Sequence, residues 1–303
     1  MGRLSLSVKR KLTQAILVLA ANGNLQGFAT GTIYSGRLKQ VCLPGLNCYS
    51  CPGAVGACPL GALQTMLADP AYKMSFYIIG LLLAFGVVAG RWICGWACPF
   101  GLFQELLYMP ARLAAKRRKT SAYRLFKFRA PFFLRYTKYA FLLFLVILAP
   151  LLLTDGFGFG APYFCEWICP SGTVMGALPL FLANPSLAAF IGPLFYLKIT
   201  VAALIIAGSF VSNRFFCKYI CPLGAIYGLF NRVALTKLVF QREECIGCGK
   251  CIDACGMNID PREPGQRMEC ICCGKCVSSC GQNALLLPRR RKKAEIASRV
   301  RIS

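Results

Sequence analysis

A chain of 303 residues with 19 cysteines, no histidine, 35 lysines and arginines against 11 acidic residues, and 56% hydrophobic residues leaves few protein classes open. The apolar share exceeds that of ordinary globular chains and excludes a disordered one, and the length excludes a disulfide-stapled secreted mini-protein. Lack of histidine removes His-ligated haem, Rieske centres, His-containing zinc sites and His-activated nucleophiles, which leaves a basic membrane protein whose chemistry runs through thiolate.

In chain order, four apolar runs are long enough to cross the roughly 30 Å of a bilayer's hydrocarbon. The first is uncharged over residues 12–36, between Lys11 and Arg37, and carries Asn22, Asn24 and Gln26; its Gly27 and Gly31 offer a small-xxx-small face for close helix packing. A basic start before an apolar run also describes a signal peptide, but this run is long and polar for one and no A-x-A site follows it. The second run covers residues 73–92 and the third residues 137–155, where Pro150 predicts a kink. The fourth covers residues 193–213 and contains Lys198, which reads as a charge reaching for the nearer interface, with an intramembrane functional role as the alternative.

Orientation follows from where lysine and arginine collect. Residues 91–138 hold eleven of them against Glu105 alone, and the N-terminus (Arg3, Lys9, Arg10, Lys11) and the tail at 288–303 are basic. Residues 155–192 contain Asp155 and Glu166 and neither lysine nor arginine. Four spans across the inner membrane of a prokaryote, with both termini in the cytoplasm, satisfy all of these.

The strongest cysteine signal lies near the C-terminus. Cys245, Cys248, Cys251 and Cys255 are followed in the same register by Cys270, Cys273, Cys276 and Cys280, a doubled C-x2-C-x2-C-x3-C spacing that is that of a bacterial two-cluster ferredoxin. In that register three cysteines on a tight loop hold one cube and the fourth crosses to the other. Cys245, Cys248, Cys251 and Cys280 are therefore expected to hold one [4Fe–4S] cluster, and Cys270, Cys273, Cys276 and Cys255 the second. Gly249 and Gly274 recur inside the loops, where wrapping a cube benefits from permissive backbone dihedrals. Gly256 and Gly281 stand where the ferredoxin run carries proline, and Cys272, at the place of Gly247, reads as a bystander. Eight cysteines in this register disfavour the competing reading, a pair of zinc knuckles. The expected organisation is mainly α: a polytopic four-helix membrane domain over residues 1–237, with cysteine half-sites at its span ends. A ferredoxin-like α+β domain over 238–287 and a basic tail follow.

The membrane part repeats a second motif, CxxxCPxG, at Cys94 and Cys98, at Cys165 and Cys169, and at Cys217 and Cys221. A looser copy at Cys51, Cys58, Pro59 and Gly61 is preceded by Cys42 and Cys48. The proline reads as the first residue of a helix. That sets free N–H groups and a partial positive charge against the sulfurs, which suits the anion that four thiolates make of a cube. Buried free cysteines at ordinary helix starts are the bland alternative, disfavoured by three full copies at membrane boundaries. By the topology, Cys94, Cys98, Cys217 and Cys221 face the cytoplasm and supply an inner cluster. The opposite face receives Cys42, Cys48, Cys51, Cys58, Cys165 and Cys169, for which three readings stand: a cluster shared between the two segments, a cluster on Cys42, Cys48, Cys51 and Cys58 alone, or disulfides favoured by an oxidising exterior. Faces roughly 30 Å apart are too remote for one electron hop, so the clusters must dip toward the midplane or be bridged by a quinone, a flavin or a partner subunit.

At these residues the chain resembles the membrane-bound polyferredoxins grouped with the ferredoxin-type quinol dehydrogenase subunit of periplasmic nitrate reductase systems, and is similar to the membrane part of nitrous-oxide reductase regulators. The resemblance spans residues 75–287. It implies four spans, two cytoplasm-facing CxxxCP motifs at Cys94/Cys98 and Cys217/Cys221, a C-terminal two-cluster domain and a generic role in membrane electron transfer, with quinone as a membrane partner. The Cys42–Cys58 segment and the Cys165/Cys169 motif lie outside that pattern, so a specific role in nitrate respiration does not carry over.

No nucleotide or flavin motif and no acid–base pair appears, so an electron-transfer protein is expected rather than a stand-alone enzyme. The ferredoxin domain would be the port for a cytoplasmic ferredoxin, flavodoxin or flavoenzyme, with quinone or a membrane or outer-face redox subunit at the other end. A net charge of +24 would steer acidic carriers, and it equally suits positive-inside topology and anionic lipid; nucleic acid is not expected, because the charge flanks the spans. A redox sensor or metalloenzyme maturation factor is the alternative. A cluster-bearing transporter is third, disfavoured by the near absence of intramembrane ionisable residues beyond Lys198. The lysine and arginine asymmetry predicts that a reporter fused after Ser303 is cytoplasmic and one inserted near Asn184 is external; finding both on one side would overturn the pairing of Cys94/Cys98 with Cys217/Cys221.

Overall fold

The computed structural model describes residues 6–69, 76–118, 132–156, 158–186 and 191–287. The basic tail at 288–303, Arg3 and the basic stretch at 119–131 lie outside the described residues. The chain is mainly helical. The longer helices are α1 (Leu6–Ala21), α2 (Pro59–Ala68), α3 (Phe76–Val88), α4 (Pro99–Arg118), α5 (Phe133–Leu152), α6 (Gly172–Ala183), α7 (Pro193–Val211) and α8 (Pro222–Phe230).

The uncharged run at 12–36 is not one helix. α1 ends at Ala21, and after a break only a short turn, Gln26–Thr30, follows. Asn22 Nδ2 donates back to Val18 O at 3.0 Å, while the Asn24 amide and side chain donate to Gly53 O and Pro52 O at 3.1 and 2.9 Å. These polar residues favour local and loop bonding over the helix interior, and they use it to fasten the cysteine-bearing loop.

Among the described residues, α5 and α7 are long and apolar enough to cross a membrane, whereas α3 and α6 are apolar but shorter. The described part of α3 has 13 residues, about 20 Å of rise. Only 28% of the apolar stretch of α5 and 17% of that of α7 is buried, so both helices turn most of their apolar surface outward. In α5 the turns at Leu142–Leu148 widen to π geometry just before Pro150, whose missing N–H falls in the first turn beyond the wide segment.

The C-terminal segment is closed by two short antiparallel strands, β1 (Val239–Phe240) and β2 (Leu285–Leu286), with Val239 opposite Leu286. Between them two cysteine loops each enter a short helix through a left-handed glycine, Gly249 at φ 71° and Gly274 at φ 75°. At these positions a side chain would strain the turn.

Buried charge fastens this domain to the helices. Glu269, one residue before Cys270, accepts from Arg91 and from Lys138, the latter at 2.5 Å. On α4, Glu105 takes Arg10 through two bonds at 3.0 and 2.6 Å and Arg214 Nε at 2.9 Å. Arg10, Arg91, Lys138 and Arg214 are each 0% exposed. Arg10, Arg91 and Lys138 fall in stretches whose charge suits positive-inside topology and lipid contact, and Arg214 stands outside them; in the fold all four are internal, because each finds a carboxylate or a carbonyl. Removing one partner of a buried pair strands the other at a cost of about 3–5 kcal/mol. Glu269→Ala should therefore destabilise the protein by that order in denaturant unfolding and release the ferredoxin segment to protease. A change within about 0.5 kcal/mol would show that the network does not hold the domain.

Candidate metal centres

All 19 cysteines are free thiols. The fold gathers them into four groups of four, leaving Cys42, Cys51 and Cys272 aside. Among the described residues no three His, Cys, Asp or Glu side chains are placed to share a single metal ion. A four-iron cube, whose thiolates sit on separate irons, asks for a wider set.

Cys245, Cys248, Cys251 and Cys280 line a cavity of about 120 Å³ in the C-terminal domain, where Cys248 and Ile246 are exposed. Arg262 lines the same cavity, and its hydrogen bonds hold the Asp260 carboxyl below its ordinary value. In the second group Cys276 lies within electrostatic reach of Cys270, Cys273 and Cys255. Cys272 adopts the left-handed conformation at φ 49° where the first loop has Gly247, and its thiol donates to Thr236 O at 3.0 Å.

The third group, Cys94, Cys98, Cys217 and Cys221, is buried at the junction of the helices with the C-terminal domain, its sulfurs within reach of one another's charge. Each proline starts a helix, as in α4 and α8, and Cys221 is extended at φ −65°, ψ 111°. Cys221 then accepts the N–H of Gly224 at 3.4 Å, as a capping oxygen would, and the Gly101 N–H is directed toward Cys98 in the same way. The two halves are crossed: Arg91, three residues before Cys94, donates to Cys217 O at 3.1 Å, and Arg214, three before Cys217, donates to Cys94 O. Burial alone would raise the Glu105 carboxyl, but Arg214 and Arg10 hold it down to about 2. Gly95 packs so close to Ile271 that a Cβ would meet Ile271 O at 2.3 Å, and Trp96 Nε1 donates to Cys272 O at 3.1 Å. The loops bearing Cys94 and Cys270–Cys273 thus touch directly.

The fourth group joins Cys48 and Cys58 to Cys165 and Cys169 around a largely apolar cavity of about 800 Å³. The helix starts at α2 and before α6 repeat the cap, with Gly61 and Gly172 N–H directed at Cys58 and Cys169. A Cβ at Gly172 would lie 3.6 Å from Cys48 Sγ and one at Gly61 3.9 Å from Cys165 Sγ, so the absence of side chains there leaves a cradle among the sulfurs. Cys42 instead pairs through its backbone with Ala57, and the Cys51 thiol lies 3.7 Å from Asn22 Oδ1. Lys198 lines the cavity and its charge acts on Cys48, so it faces the cysteines as well as the apolar surround.

The third and fourth groups are neighbours. Consecutive amides lie between them, Leu46 N–H directed toward the Cys98 sulfur and Asn47 N–H toward the Cys58 sulfur. At this point one stretch of backbone lies against a sulfur of each group. Phe164, beside Cys165, and Phe216, beside Cys217, have ring centroids 6.5 Å apart, and Phe216 meets Phe100 at 5.3 Å. Tyr227, buried between the groups, donates to Pro44 O at 3.0 Å. Sequence reasoning missed these aromatics, the two arginines, and Gln64 and Gln104, each of which touches a cysteine sulfur. The arginines had a signal, R-x-x-C before both pairs of the third group, and the glutamines another, C-P-x-G-x-x-Q in two of four copies.

A family model described as a 4Fe-4S binding domain matches residues 73–120, 139–183 and 194–241, and a second of the same description matches residues 238–259. Ferredoxin-type 4Fe–4S binding domains thus recur along the chain, an organisation consistent with a polyferredoxin. It is 27% identical over 242 residues to the methylamine utilization ferredoxin-type protein MauN of Methylorubrum extorquens, covering 76% of this chain and 71% of that one. It is 30% identical over 188 residues to the putative electron transport protein YccM of Escherichia coli, covering 61% and 45%. An uncharacterised protein of Methanocaldococcus jannaschii is 31% identical over 182 residues, 60% of this chain and 57% of its own. The chain thus spans little more than half of the archaeal relative and less than half of the Escherichia coli one. No solved structure matches it.

Proposed function

We propose that the chain is a membrane electron-transfer protein whose four cysteine groups each hold a [4Fe–4S] cluster, in a row from a cytoplasmic port to the far side of the helical domain. The single observation that carries this reading is the continuity of the row. The second group packs on the third through Gly95 and Ile271, and the third meets the fourth across the adjacent amides of Leu46 and Asn47. Such clusters, when bound, take up and release one electron each. The chain supplies the ligands, N–H groups aimed at the sulfurs, buried arginines beside the third group, and a dry aromatic interior between the third and fourth. A sensor needs no such unbroken row.

The exposed end at Cys248 suits exchange with a cytoplasmic ferredoxin, flavodoxin or flavoenzyme. The opposite end, at the Cys48–Cys169 group, suits a quinone or a redox subunit. Membrane placement draws support from the outward apolar faces of α5 and α7. The printed names of the ferredoxin-type and electron-transport relatives support electron carriage. The ligands proposed for the far cluster are Cys48, Cys58, Cys165 and Cys169, with Cys42 and Cys51 spare.

Anaerobically purified protein should carry about sixteen irons, and Cys58→Ser, Cys165→Ser and Cys98→Ser should each lose about four together with one EPR-active centre. Cys42→Ser and Cys51→Ser should keep the full complement. About eight irons in the wild type, or full iron in Cys58→Ser or Cys165→Ser, would overturn the reading.

A further inference from the structure

Gln64 and Gln104 hold matching places in the third and fourth groups, and no sequence feature of a ferredoxin calls for either. Each closes a C-P-x-G-x-x-Q run, from Cys58 to Gln64 and from Cys98 to Gln104. Gln104 Nε2 donates to Cys217 Sγ at 3.1 Å while its Oε1 accepts the Phe216 N–H at 3.0 Å. Gln64 repeats both bonds, to Cys165 Sγ at 3.1 Å and from the Phe164 N–H at 3.0 Å. Both side chains are 0% exposed. Each therefore reaches from its own half-site to a cysteine of the other half, and its oxygen anchor leaves the amide nitrogen no freedom to turn away.

We propose that Gln64 and Gln104 are positioning residues that raise the reduction potentials of the two helical-domain clusters. The inference rests on the reading that both groups hold clusters. Reduction adds a negative charge to a cube already anionic through its thiolates. A fixed N–H on a ligand sulfur stabilises the reduced form more than the oxidised one, and a water-free site leaves that bond unscreened. Because the two glutamines have the same geometry, they raise both potentials together and leave the difference between the sites to the rest of their surroundings.

The test is a potentiometric EPR titration of the full chain, with the two signals assigned by their loss in Cys58→Ser and Cys98→Ser. Gln104→Met fills the same volume without a donor. Gln104→Glu keeps an acceptor for the Phe216 N–H, and its carboxyl can ionise beside the sulfur; the same pair is made at Gln64. Each Met variant should lower the potential of its own cluster alone, changing the reduced-to-oxidised ratio at fixed potential by about tenfold, about 59 mV for a one-electron couple. Each Glu variant should show a potential that falls as pH rises, because the ionised carboxylate opposes reduction, where the wild-type glutamine adds no such dependence. Iron content should stay unchanged. Unshifted potentials with both clusters present, equal shifts of both signals, or loss of the cluster from both variants at a position would overturn the inference. Absence of both signals from the wild type, with about eight irons, would instead sink the four-cluster reading on which it rests.

Discussion

Two buried arginines reach across to the carbonyls of each other's cysteines, and much of the fold is arranged to make that crossing tolerable. A guanidinium taken out of water costs several kcal/mol unless its charge and N–H groups are matched. Arg91 is matched by Glu269 of the C-terminal domain, and Arg214 by Glu105 of α4. Those carboxylates then recruit further cations, Lys138 from α5 and Arg10 from α1. One electrostatic requirement therefore fixes where the ferredoxin segment docks, which face of α1 turns inward and how deep α5 sits. Arg214 even holds a left-handed backbone, φ 58°, which costs a non-glycine residue about 1–3 kcal/mol and is held by the bonds its side chain makes.

The third and fourth cysteine groups are two uses of one design. In both, a cysteine precedes a proline that starts a helix, a glycine N–H two residues beyond the proline meets its sulfur, and a glutamine from one half bonds a cysteine of the other. Their surroundings differ in charge. Pro162 and Gly45 stand three residues before Cys165 and Cys48, where Arg214 and Arg91 precede Cys217 and Cys94. The third group is accordingly walled by ion pairs and by the C-terminal domain. The fourth opens on an apolar cavity with Lys198 at its edge.

The short separation of these groups follows from the loop that carries Cys42 to Cys58. Lys39 Nζ bonds Ala54 O at 2.7 Å, Asn24 holds Pro52 and Gly53, and Tyr227 holds Pro44. Pinned at these points, the loop lies between the groups and presents one amide to each. A continuous first helix would have withdrawn Asn24 from this set.

Local chemistry was legible in the sequence. The spacing of Cys245 to Cys280 dictates two tight loops because neighbouring residues cannot stand far apart, and glycine at 249 and 274 is what a left-handed turn requires. Proline after Cys58, Cys98 and Cys221 starts a helix wherever the chain goes, since its fixed φ and missing N–H suit the first turn. What the tertiary structure alone decided are the long-range choices: Cys48 and Cys58 rather than Cys42 and Cys51 beside Cys165, the breaking of the first apolar run, and the burial of Arg10, Arg91, Lys138 and Arg214. Each depends on which distant carbonyl or carboxylate a polar group meets. Hydrophobic periodicity and charge counts record how polar a residue is, and carry no information about the partner that makes its burial favourable.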